Sequence, residues 1–171
     1  MITAIILRSI APHALIELAP YLNDAMEQYE INTLQRQAMF LAQTAHESDG
    51  FQTTQEYGSG KIYEGRQDLG NDHAGDGMKY KGRGLLQITG RFNYQKVGEA
   101  LGVDFVNTPE LLQLPGWACK SAGWFWAVHK LNELADKGRF TDITKVINGG
   151  QNGAASRHDY YNKALAALSK A

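Results

Sequence analysis

LAQTAHESDGFQTTQEYGSGK, residues 41–61, is the stretch on which the reading of this chain turns. Its first part continues a helical pattern. Leu34, Ala38, Leu41 and Ala45 recur at intervals of four, three and four and form one apolar stripe. Glu47 lies off that stripe, on the side of Phe40, Gln43 and Thr44. Gly50 then ends the pattern, and Glu56 follows nine residues after Glu47. In an unbroken helix, nine residues would set the two carboxylates about 13 Å apart along the axis. The break at Gly50 lets the chain fold back and turn one acid toward the other across a cleft.

Beyond Gly50 the period changes to two. Phe51, Thr53, Gln55 and Tyr57 alternate with Gln52, Thr54 and Glu56, which predicts a short hairpin arm. Residues 58–84 hold eight glycines and few aliphatics, which predicts a long ordered loop. A loop of that length in a small domain usually carries function. Upstream, residues 11–30 read as one amphipathic helix with Leu15, Leu18, Leu22, Met26 and Tyr29 on its inner face. Asn32 is placed to cap the next helix, with Gln35 at the capping-box position. Downstream, Thr108 and Pro109 mark a helix start, residues 116–136 read as one long buried helix, and Asn148-Gly149-Gly150 stops a short one. A last helix is predicted over 153–170. The pattern is a single mainly α domain spanning 1–171.

The composition agrees with a globular domain that buries a sizeable core: 171 residues, 43% hydrophobic and 20% charged. The formal net charge is -1, so no basic excess points to nucleic acid or an anionic membrane. The single cysteine, Cys119, excludes an internal disulfide and sits in an apolar run as a buried small hydrophobe. The N-terminus lacks a positive leading region and is interrupted by Arg8, so it is a poor signal peptide. Several motifs fail on spacing. HESDG has Gly50 where a zinc helix needs histidine. GSGK lacks the first glycine and the hydroxyl residue of a phosphate loop, and NDHAGDG lacks the spacing of a calcium loop. No metal or other cofactor is expected.

Two carboxyl groups are what hydrolysis of a glycosidic bond requires: one delivers a proton to the leaving oxygen, and one acts on the opposite face. Glu47 suits the acid, because a packed helix excludes water and favours a protonated carboxyl. Glu56 suits the base. Acid pairs are also common on solvated surfaces, so the spacing alone leaves both readings open.

The chain resembles glycoside hydrolase family 19, the family of plant and bacterial chitinases and of phage-type endolysins. AHESDGF, YEGRQDLGN, GDGMKYKGRGLLQITGRFNY, GVDFVNTPELL, AGWFW, INGG and SRHDYY carry the resemblance in family order, over roughly residues 31–165. It implies an α-rich, lysozyme-like fold with a small β-hairpin and a glycine-rich loop along the cleft, an inverting mechanism and no cofactor. By resemblance Glu47 is the general acid and Glu56 the general base, with Glu64 of YEGR as the alternative base. Thr89 of QIT would hold the attacking water, and Gln87 would touch substrate. Asn93 and Tyr94 match residues that bind acetamido groups and sugar rings. Asn148 and Arg157 match residues that line the cleft and support the acids, and His46 orients the acid beside it. Asn148 serves equally as a helix-ending residue, and Tyr80 either stacks on a sugar or anchors the loop. Arg83 reads as a loop-fastening ion pair, and Trp124 and Trp126 as core.

The expected activity is hydrolysis of β-1,4 bonds in an N-acetylhexosamine polymer. Peptidoglycan is favoured, which makes the protein an endolysin; chitin is the alternative. An inactive sugar-binding module is the contrasting class, and the joint presence of Glu47, Glu56 and Thr89 argues against it. A monomer without nucleic-acid or stable membrane partners is expected. It is expected to be made in the cytoplasm of a host bacterium and to reach the periplasmic wall after release.

Overall fold

Helix α3, Leu34–Glu47, is the axis of the molecule. In the computed structural model, which describes residues 1–170, it packs along α9, Ala154–Leu168, and α7, Leu131–Asp136. Ala38 through Ala45 are buried without interruption, so the middle of α3 is enclosed on all sides. Phe40 and Leu41 are fully buried; each such side chain stabilises the fold by about 1.5–3 kcal/mol. Phe40 meets the Trp126 ring edge-on, with centroids 5.4 Å apart. Trp126 belongs to α6, Pro115–Val128, which packs on α2, Leu18–Gln28. With α1, Ala4–Ile10, against α9, these helices enclose the larger apolar cluster. A smaller cluster of Tyr80, Ile88, Tyr94, Val97, Phe105 and Leu112 lies under the glycine-rich loop. That loop carries α4, Asp76–Lys79, and leads into α5, Arg91–Leu101.

The fold is mainly α, as the sequence predicts, and its local departures have physical reasons. Residues 11–30 do not form one helix. The chain is helical over α1, runs irregularly through residues 11–17, and starts α2 only at Leu18. Pro20 explains the start, since proline is tolerated in a first turn and not in a helix interior. The cap of α3 is Thr33 rather than Asn32: its Oγ1 accepts from Arg36 N at 3.2 Å. The long helix expected over 116–136 is two, because Lys130 adopts φ 54° between α6 and α7. Thr108 donates its hydroxyl to Asp104 O, and the residues after it, Pro109–Gln113, make a 3₁₀ helix. Helix α8, Phe140–Asn148, ends where the sequence indicates, with Gly149 at φ 73°.

The hairpin arm expected over 51–57 does not pair with itself. Gln55 bridges Arg83, and Arg83 bridges Ile88, so the short antiparallel contacts lie at 83–88 with residue 55 added alongside. The alternating segment has no second apolar strand of its own to pair with. It borrows the glycine-rich stretch instead: Glu56 N donates to Gly82 O at 2.9 Å and Gly84 N to Thr54 O at 2.8 Å. The fold-back itself is built at Asp49, Gly50 and Phe51, which have φ of 51°, 67° and 60°. Gly50 also leaves room for α9, since a Cβ there would stand 2.8 Å from Tyr160 Oη.

Candidate active site

Glu47 closes α3 with its side chain about one-fifth exposed, at 21%. Its partner is not an apolar wall. Glu47 Oε1 accepts from Arg157 Nη2, and Arg157 is 1% exposed within α9. The guanidinium is held on its other sides by Gln43 Oε1 at 2.6 Å and Asn152 O at 3.0 Å. Gln43 in turn donates to Thr144 Oγ1 of α8 at 2.8 Å. A buried cation is tolerated when its donors are satisfied, and this network satisfies Arg157 from α3 and from the turn before α9. His46, beside the acid, hydrogen-bonds Ser156 Oγ through Nδ1 at 3.0 Å. Burial pushes the His46 imidazole below its ordinary range, and Arg157 acts in the same direction. The ring is neutral at neutral pH and fits an orienting role.

Glu56 sits half-buried on the borrowed bridge. Its Oε1 accepts from Gly82 N at 2.8 Å and its Oε2 from Tyr63 Oη at 3.0 Å. Gly82 has no room for a side chain: a Cβ would lie 2.8 Å from Gln87 Oε1 and 3.4 Å from Thr89 Oγ1. The glycine therefore brings the Glu56 carboxylate, the Gln87 amide and the Thr89 hydroxyl to one place. Thr89 Oγ1 donates to Gln87 O at 2.9 Å, which leaves its oxygen free to accept. Asn93 Nδ2 donates to Thr89 O at 2.7 Å. Gln87, Thr89 and Asn93 line a groove of about 560 Å³ at the seam of the two apolar clusters. Leu86, Trp124 and Ile147 are among its apolar lining residues, and Lys96 and His129 are its titratable side chains.

Tyr94, which the resemblance places on substrate, and Tyr80, read either as a sugar platform or as a loop anchor, both lie in the smaller cluster. Tyr80 and Tyr94 are fully buried and touch each other edge-on in the smaller cluster. Tyr80 Oη donates to Val106 O at 2.9 Å, and Tyr94 Oη donates to Lys81 O at 2.5 Å. Burial pushes the Tyr94 phenol far up, so it remains a neutral anchor. Arg83 fastens the loop as expected but through neutral partners, Lys79 O and Tyr94 Oη, both at 2.8 Å. Glu64 is exposed, yet both its oxygens are taken by backbone: Gly75 N at 2.6 Å and Gly77 N at 2.9 Å. Asn148 ends α8 with its Nδ2 buried and without a partner, which leaves a donor for a bound group. Cys119 is buried, as expected.

The sequence reads Trp124 as core and gives Tyr63 no role, yet Trp124 lines the groove and Tyr63 holds Glu56. Two residues apart on a helix means about 200° of rotation, so Trp124 and Trp126 cannot share a face; one is core and the other lines the groove. Tyr63 carries no comparable signal, because its contact with Glu56 depends on how the loop returns. Asp72, His73 and Asp76 approach one another in that loop. Arg91 fills the Asp76 carboxylate through Nε and Nη2 at 2.9 and 2.7 Å, which makes the group a loop fastener rather than a metal seat.

The family model for glycoside hydrolase family 19, described as chitinase class I, matches residues 24–138. A glycosyl hydrolase family 19 domain-containing protein of Haemophilus influenzae is 32% identical over 94% of each chain. Acidic endochitinase Q of Nicotiana tabacum is also 32% identical, over 71% of this chain; the match spans 54% of the tobacco protein. Among solved structures, chitinase C from Streptomyces griseus superposes with a TM-score of 0.80 at 25% identity, over 98% of this chain and 76% of that one. The class IV chitinase from Zea mays gives a TM-score of 0.68 at 27% identity, over 87% of this chain and 78% of that one. By its sequence, its α-rich fold and its relatives, the chain belongs to glycoside hydrolase family 19 and is a chitinase-like glycoside hydrolase.

Proposed function

We propose that the chain hydrolyses the β-1,4 bond between N-acetylmuramic acid and N-acetylglucosamine in bacterial peptidoglycan, and acts as an endolysin that lyses its host cell. Glu47 is the general acid and Glu56 the general base. The observation that carries the mechanism is the meeting of Glu56, Gln87 and Thr89 around Gly82. A water lodged there has a carboxylate to take its proton and a hydroxyl oxygen to orient it. Glu47, at the end of α3, protonates the leaving oxygen and is held in place by Arg157. A base that acts through water, rather than as a nucleophile, inverts the anomeric centre.

The groove supports the choice of polymer. Its titratable lining residues are Lys96 and His129, with the Glu56 carboxylate adjoining at Gly82. Burial and the charge of Lys96 keep His129 below its ordinary range, so Lys96 is the cation there at neutral pH. Peptidoglycan carries carboxylates on its peptide stems and chitin carries none, so only the first gives the Lys96 side chain an ion-pair partner. The second reading is chitin hydrolysis, favoured by the names of the tobacco, Streptomyces and maize relatives. Rates on purified peptidoglycan and on colloidal chitin, measured in parallel, decide between them. Faster cleavage of peptidoglycan is expected, and solubilisation of chitin alone moves the protein to the second reading.

A further inference from the structure

Glu56 and Glu64, the two glutamates that compete for the base in the sequence, are linked in the structure through Tyr63, the residue before Glu64. Tyr63 ends a 3₁₀ turn, Lys61–Tyr63, and donates its Oη to Glu56 Oε2 at 3.0 Å. Glu64, next in the chain, ties that turn to the opposite side of the loop by accepting from Gly75 N and Gly77 N. The approach is close: a Cβ on Gly77 would lie 2.6 Å from Glu64 N and 2.8 Å from Gly60 O. Asn71 holds the same turn from behind, donating Nδ2 to Tyr63 O at 2.9 Å. Glu64 is held at Gly75 and Gly77, whereas Glu56 is held at Gly82, where Gln87 and Thr89 meet.

We propose that Tyr63 and Glu64 are positioning residues for the hydrolysis: Glu64 clamps the loop so that Tyr63 holds the Glu56 carboxylate against Gly82 N and aims it at the attacking water. This rests on the reading of Glu56 as the base. Gly82 N fixes one carboxylate oxygen. A second donor stops rotation about the terminal bond. Misplacing a reacting group by a fraction of an ångström is costly to rate even when binding is unchanged. The other charged or titratable groups near this pair do not replace Tyr63. Lys81 Nζ reaches Glu56 O and Gly58 O rather than the carboxylate, Tyr94 is committed to Lys81 O, and Arg66 pairs with Asp68. The Tyr63 phenol is pushed up by burial and by its bond to Glu56, so it stays a donor across the working range of pH.

The test is steady-state kinetics of Tyr63→Phe, Glu64→Ala and the double variant on whichever of purified peptidoglycan and colloidal chitin the wild type cleaves faster. Each single variant is expected to lower kcat about tenfold, the scale of one lost hydrogen bond to a charged group, with KM unchanged. The double variant should be no slower than the slower single one, since both act on one bond. Glu64→Gln keeps one acceptor oxygen and should lie between wild type and Glu64→Ala. Tyr63→Phe with wild-type kcat overturns the proposal. So does a folded Glu64→Ala as inactive as Glu56→Gln, which would make Glu64 the base. Glu56→Gln, run in parallel, isolates the underlying reading: near-wild-type kcat there removes Glu56 as base whatever the others do. If Glu64→Ala does not fold, Tyr63→Phe decides alone, because it deletes a single oxygen.

Discussion

Glu47 is worth more to this molecule as a partner than as a solitary acid. Its carboxylate and the Gln43 amide together hold a guanidinium that is almost wholly out of water. Glu47→Gln keeps an acceptor for Arg157 and loses the transferable proton. The variant should fold with a wild-type circular dichroism spectrum and lose at least tenfold in lysis of outer-membrane-stripped cells, since general acid catalysis is worth about 10²–10⁴. Arg157→Leu is the opposite kind of change. It strands a partly buried carboxylate and the Gln43 amide, and should cost about 3 kcal/mol in urea denaturation, the scale for breaking one side of a buried pair. A loss within about 0.5 kcal/mol would show that water repairs the site. At this scale Glu47, Glu56 and Thr89 were legible as candidates, by residue type and by motif order. The burial of Tyr80 and Tyr94 was not, because a phenol reads alike as a stacking platform or an anchor until the loop's packing is known.

Elements were legible where glycine or proline punctuates them and obscure where an ordinary residue does the work. Gly50 and Gly149 announce the ends of α3 and α8, and Pro20 explains where α2 begins. The break between α6 and α7 falls on Lys130, whose φ of 54° costs strain that its sequence neighbours do not advertise. Lys130→Gly should therefore stabilise the protein by about 0.5–1 kcal/mol, the left-handed strain relieved less the added chain entropy. That raises the thermal midpoint by a few degrees in a domain of this size. A lower midpoint would mean that the Lys130 side chain contributes more than its backbone costs. The hairpin displaced from 51–57 to 83–88 teaches the same lesson for strands: alternation shows that a segment can pair, and topology chooses the partner.

The whole molecule is two apolar clusters with the groove along their seam, so what holds the smaller cluster to the larger also shapes the site. Acid should loosen that arrangement in two stages. Burial holds His46 and His129 below the ordinary histidine value of 6.5, so below that pH the unfolded chain takes up protons first and stability falls. The Arg91 guanidinium holds Asp76 below the ordinary 3.8, so the stability it contributes is complete above that value and is lost as pH falls through the lower folded one. Thermal midpoints should decline on acidification from neutrality and again below about pH 4, and His129→Gln should flatten the first decline. A midpoint that stays constant from neutrality to pH 5 would contradict this. At this largest scale the fold class and the family were readable from motif order, while the polymer was not, because no single motif reads the lactyl group of muramic acid. The most direct measurement is mass spectrometry of a purified peptidoglycan digest, with Glu47→Gln as the blank and colloidal chitin in parallel. The account predicts muropeptides with intact stems and new reducing ends at N-acetylmuramic acid. Chitobiose from chitin beside untouched peptidoglycan would contradict it.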